Sequence, residues 1–104
     1  MNLSQLQALN DAEKDRYMAL GRLFEHPSYK FLMEWAHLQV EECTVRELNA
    51  PTWDIVLLQR GARLAYTNLV KLEAITEAEF EGIAEERIQE AAEAKEAQSS
   101  LEEI

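Results

Sequence analysis

Several things are scarce in this chain of 104 residues, and each scarcity excludes something. There are three glycines, two prolines and one cysteine. So few backbone breakers rule out a loop-rich or collagen-like chain and leave long helices as the natural elements. A lone cysteine, Cys43, forms no intrachain disulfide, so nothing points to a secreted, disulfide-stapled domain. No apolar run approaches the ~18 residues that a membrane span needs. The N-terminus, Met1-Asn2-Leu3-Ser4-Gln5, lacks the basic start and apolar core of a signal peptide, and the expected compartment is the cytoplasm. Glycine-rich phosphate loops, nucleophile elbows and metal-ligand clusters are missing too.

Acidic charge is plentiful, and it is unevenly placed. Residues 1–72 hold 9 acids and 8 bases, whereas residues 73–104 hold 11 acids and 2 bases. The last third therefore carries −9 of the net −10. Such a segment repels nucleic acid and anionic membrane, and neither is expected as a partner. It suits a basic protein surface or a solvated helix. Arg60, Arg63 and Lys71, with Arg22 and Arg46, are the only basis for a basic face. Pairing with glutamates of the last helix, within or between subunits, is their expected use.

The chain reads as helices throughout. Residues 1–10 form an N-terminal arm, with Leu3, Leu6 and Leu9 three apart. Asn10 followed by Glu13 matches a capping box, which opens a helix from Asp11 to Phe24. Pro27 resets the chain, so His26 caps the start of the next helix. That helix runs to Leu48 and carries Phe31, Trp35, Leu38 and Val45 on one stripe, interrupted by Glu42. Asn49-Ala50-Pro51-Thr52 breaks the pattern, and Thr52 caps a helix from Trp53 to Ile75. In it, Ile55, Leu58, Ala62, Ala65, Leu69 and Leu72 recur at coiled-coil spacing and are the expected packing seam. Thr76 and Glu79 match a further capping box before a last helix with Phe80, Ile83, Ala84 and Ile88. Its apolar signal fades after Glu90, and Ser99-Ser100 is expected to break it, leaving Leu101 and Ile104 as a terminal apolar hook.

These readings combine into an all-α fold. It is an antiparallel helical hairpin with a leading helix and a long acidic C-terminal helix. The expected organisation is an arm at 1–10, a helical core with the hairpin at 11–75, and an acidic helical segment at 76–104. A hairpin of this size buries little per residue, so a homo-oligomer or multi-copy assembly is expected to complete its core. Trp35 and Trp53 serve either as core or as interface anchors. Phe31, Trp35, Trp53, Arg60, Arg63, Phe80, Leu101 and Ile104 are the candidate interface residues.

One pattern could carry chemistry. Glu34 and His37 form a Glu-x-x-His on a helix, the spacing that di-iron bundles use. The facing helix has no carboxylate between Asp54 and Glu73, so the bridging ligands are absent. Cys43, six residues from His37 on one helix, gives no nucleophile–base pair. No enzyme activity, metal or cofactor is expected.

The segment His26-Pro27-Ser28-Tyr29-Lys30, with Trp35, Asn49-Ala50, Trp53, Val56 and Leu58-Gln59-Arg60-Gly61-Ala62-Arg63-Leu64, resembles a group of small helical proteins of tailed bacteriophages. These are encoded among virion structural genes near the portal. The resemblance covers about residues 22–75. It departs at Ser28, where glycine is common, and in the order Gln59-Arg60-Gly61. What it implies is a non-enzymatic structural or accessory role in the head, portal or head–tail region. The implied partner is a portal, adaptor or capsid protein, and the implied location is the virion, with the host cytoplasm before assembly. The alternative is a small acidic regulator or inhibitor that occupies a basic groove on a host or phage protein.

Overall fold

The computed structural model describes residues 1–102; the expected hook residue Ile104 lies outside them. The described chain is all-helical. Its elements are α1 (Leu3–Ala8), α2 (Asp11–Glu25), α3 (Pro27–Leu48), α4 (Trp53–Val70) and α5 (Leu72–Glu102). None of these is long and apolar enough to cross a membrane.

Local chemistry sets most of the helix starts. At α1 the Asn2 side chain accepts from the Gln5 amide while the Gln5 side chain accepts from the Asn2 amide. Asn10 and Glu13 make the same reciprocal pair at α2, each bond 2.9 Å. These boxes satisfy amides that a helix start leaves orphaned. His26 caps α3 through Nδ1, which accepts from the Ser28 N–H at 3.1 Å, and Pro27 takes the first turn. Thr52 Oγ1 accepts from the Ile55 N–H at the start of α4.

Two expected boundaries are corrected. Thr76 and Glu79 open no helix, because α5 has already begun at Leu72 and Thr76 is buried inside it. Lys71, at φ −91° and ψ 7°, is the only residue between α4 and α5. Ser99-Ser100 likewise fails to break α5, which continues to Glu102. Alanine, glutamate and lysine before them, and Leu101 and Glu102 after, favour the helix enough to carry two serines through it.

The chain divides into two compact units. One unit joins Met1–Leu20 to the chain from Ile75 onward; the other is Gly21–Ala74. In the first, Leu9, Phe80 and Ala84 form the buried core, with Leu6, Tyr17, Leu20 and Ile83 packed against it. The Tyr17 and Phe80 rings meet edge to face at 5.3 Å. Glu13 is buried and takes both guanidinium nitrogens of Arg87, Nη2 at 2.6 Å from Oε2. Glu77 accepts from the Tyr17 hydroxyl at 2.7 Å and from the Met1 ammonium at 2.5 Å. The Met1 bond, then the Tyr17 bond, holds the Glu77 carboxyl below its ordinary range. The same contact pushes the Tyr17 phenol up to about 12.

In the second unit α3 and α4 pack on each other. Glu47, late in α3, meets Arg60 and Arg63 of α4, whereas Trp35, earlier in α3, meets Tyr66 further along α4. The chain therefore reverses between them, at a turn where Asn49 bonds back to the Val45 carbonyl through its amide and side chain. The inner stripe of α3 is Tyr29, Met33, Ala36, Val40, Cys43 and Glu47, all buried or half-buried, at heptad spacing.

The inner stripe of α4 differs from the expected one. Val56, Gln59, Arg63, Tyr66 and Val70 are half-buried, whereas Ile55, Leu58 and Ala65 are exposed. Two heptad stripes share α4, and polar pairing selects between them. Glu47 draws in Arg60 and Arg63, which turns the Val56–Val70 stripe toward α3. The small Ala36 and Cys43 on the inner stripe of α3 are fully buried.

Candidate interaction surface

Large apolar side chains stand exposed on several sides of α3 and α4. On α3 these are Phe31, Leu32, Trp35, Leu38, Val45 and Leu48; on α4 they are Trp53, Ile55, Leu57, Leu58 and Leu64. A chain of this size normally keeps such side chains scattered; contiguous exposure marks a surface that meets something. The cause is visible in the sequence order. Phe31, Trp35, Leu38 and Val45 fall on the side of α3 opposite its inner stripe, so α4 cannot cover them.

The expected interface residues fall into distinct environments. Phe31 is 69% exposed and Trp53 is 63% exposed. Trp35 is half-exposed, with one ring edge set against Tyr66 at 5.5 Å and 84°. The Arg60 guanidinium lies 5.2 Å from the Trp53 ring centre, and its Nε is 2.5 Å from Glu47 Oε1. Arg63 Nη1 sits 2.8 Å from Glu47 Oε2, an ion pair without hydrogen-bond alignment. Within the chain both arginines therefore serve a glutamate of α3, which corrects their expected within-chain pairing with the last helix. The proximity is physical: one turn joins α3 to α4, so Glu47 reaches them first.

Phe80 is not a surface residue. It is 9% exposed and sits in the core of the first unit, where Leu9 and Tyr17 cover it. The missing signal was the packing of residues 1–20 with the chain from 75 onward, which no local pattern announces. Leu101 is exposed near the end of α5. From Ile88 to Glu102 every residue is exposed, and glutamates dominate the charges there. Leu48, Leu57 and Leu64 belong to the exposed apolar set without having been expected there, and Leu58 of the expected seam joins them.

The inner stripe is more polar than a packing seam usually is. The Tyr29 hydroxyl and Gln59 Oε1 are buried with no hydrogen-bond partner. Burial, then the nearby Glu73 charge, pushes the Tyr29 phenol up. Glu34 and His37 both lie exposed on α3. Among the described residues, no three His, Cys, Asp or Glu side chains gather as a metal site would require. No protein-family model, curated protein or solved structure matches this chain.

Proposed function

We propose that this chain is a non-enzymatic structural or accessory protein of a tailed-phage virion, in the head, portal or head–tail region. It acts by helix-mediated protein–protein assembly, with the α3–α4 hairpin as its contact element. The observation that carries this reading is the exposed apolar surface of α3 and α4, which the chain leaves without a partner of its own. Burying such side chains stabilises an assembly by about 25 cal/mol per Å² of apolar area. The virion part of the reading rests on the resemblance over residues 22–75. Mass spectrometry of purified virions tests it: the chain should be present at a fixed ratio to the portal or capsid protein. Its absence from virions, together with failure to co-sediment with them, would end the reading.

A second reading follows from a separate feature. The acidic stretch from Gln89 to Glu102 is exposed throughout, so it can enter a basic groove on another protein. This is the regulator alternative. Deleting the whole of residues 76–104 would not separate the two readings, because Phe80, Ala84 and Arg87 hold the first unit together. Truncation after Gln89 does separate them. It removes a regulator's binding and leaves assembly through α3 and α4 in place.

A further inference from the structure

Helix α4 carries two heptad stripes of different character. The stripe that faces α3 includes Gln59 and Arg63. The other, Ile55, Leu58, Ala62, Ala65 and Leu69, is wholly apolar, and Leu58 on it is 67% exposed. On this more coiled-coil-like stripe Ile55, Leu58 and Ala65 are exposed, while Ala62 and Leu69 are half-buried. The edge-on contact between Trp35 and Tyr66 fixes which side of α3 borders it. Helical spacing places Leu32 on that side with Trp35, and both are partly exposed. We propose that this two-helix platform seats a second copy of itself, forming a two-fold four-helix bundle. The inference rests on the assembly reading and names its first partner: the same chain.

Three observations select a second copy over a foreign partner. The α4 stripe contains no charged residue between Ile55 and Leu69, so it offers nothing for an acidic or basic partner to recognise. On the α3 side of the platform Glu42 and Arg46, which follow Trp35 along the helix, already neutralise each other at 3.2 Å. The two ends of the platform are also suited to meet. Leu32, Trp35 and Leu69 form one bulky end, Ile55 and Leu58 form the other, and Ala62 and Ala65 lie between. An isologous contact needs a surface whose halves can mate, and a two-fold axis near the alanines sets each bulky end against the other copy's opposite end. Small residues at the crossing let the backbones approach. Covering the exposed fractions of these side chains in both copies removes on the order of 1,000 Å² in total, the lower bound for a specific interface.

The test is the mass of the purified full-length chain by light scattering and sedimentation equilibrium. Two copies, or a multiple of two, are expected. Ala65→Glu places a carboxylate in the seam and should weaken association by at least ~100-fold, since a buried unpaired charge is costly. Its helical circular dichroism should match the parent, because Ala65 is exposed in the single chain. Leu64→Glu, one residue along and on another side of α4, should remain paired. Ala65→Cys should give a covalent dimer on oxidation, whereas the parent should not, since Cys43 is buried. A parent that stays a single chain at high micromolar concentration overturns the proposal. So does an Ala65→Glu variant that remains paired, or a Leu64→Glu variant that comes apart. A single chain that is nevertheless present in virions removes this inference and leaves the assembly reading standing. A dimer with the expected variant pattern, but absent from virions, does the reverse.

Discussion

Replacing Arg87 with methionine tests how the first unit is held. Glu13 is 7% exposed, and its carboxylate has two sets of donors: the Asn10 amide and the Arg87 guanidinium. Arg87→Met keeps most of the packing volume and removes two charge-assisted bonds. Removing one partner of a fully buried pair costs about 3–5 kcal/mol, because the other charge is left unpaired. The Arg87 side chain is 37% exposed, so water reaches the vacated position and screens part of that penalty. The expected loss is about 2 kcal/mol, close to the value of a hydrogen bond to a charged group. At a typical urea dependence for a small domain this lowers the unfolding midpoint by about 1–2 M. Helical circular dichroism in urea reads it, with parent and variant at one protein concentration so that association does not shift the comparison. The partner variant Glu13→Gln retains an oxygen for the Asn10 amide and discards the charge. In that background Arg87→Met should cost under about 0.5 kcal/mol. An Arg87→Met midpoint within about 0.3 M of the parent would refute the reasoning, as would an equal cost in both backgrounds.

Three further outcomes follow from the structure. Phe80→Ala empties the space among Leu9, Tyr17 and Ala84 and should destabilise the chain by about 3 kcal/mol in thermal or urea unfolding. Thr52→Ala removes the oxygen that accepts from the Ile55 amide and should cost about 1 kcal/mol in the same assay. The Tyr17–Glu77 bond makes stability depend on pH at both extremes. The Tyr17 phenol is raised from 10.0 to about 12, so its contribution is whole below pH 10 and fades as pH climbs through 12. The Glu77 carboxyl is lowered from 4.5, so its contribution is whole above pH 4.5 and fades as pH falls through the depressed value. Glu77→Gln should return Tyr17 toward 10, read as phenolate absorbance, and Tyr17→Phe should remove the highest titration step. An unchanged titration curve in Glu77→Gln would show that the carboxylate does not hold the phenol.

The helix starts were legible because their causes are local. Asn10 with Glu13, His26 with Pro27, and Thr52 each satisfy orphan amides within four residues, so spacing alone identifies them. The Thr76–Glu79 pattern fails for an equally physical reason. A capping box helps only where the backbone leaves the helix, and here it leaves at Lys71 instead. Phe31, Trp35 and Trp53 are exposed because they sit off the inner stripes, which only the packed structure identifies. The burial of Phe80 was not legible, because it depends on residues some seventy positions away.

What the sequence by itself determined is the helical character, most of the helix starts, and the concentration of negative charge after residue 72. Propensity, capping and charge are properties of neighbouring residues, so they are written in order along the chain. The tertiary structure alone decided which stripe of α4 turns toward α3, and that Glu47 rather than the last helix claims Arg60 and Arg63. It alone brought Leu9, Phe80 and Ala84 into one core. Both α4 stripes have the period of a packing seam, and periodicity carries no information about phase. The choice shows in the partners α4 meets on another helix: Glu47 with Arg60 and Arg63, and Trp35 with Tyr66. The other stripe remains apolar and in part exposed, and the proposed assembly is built on it.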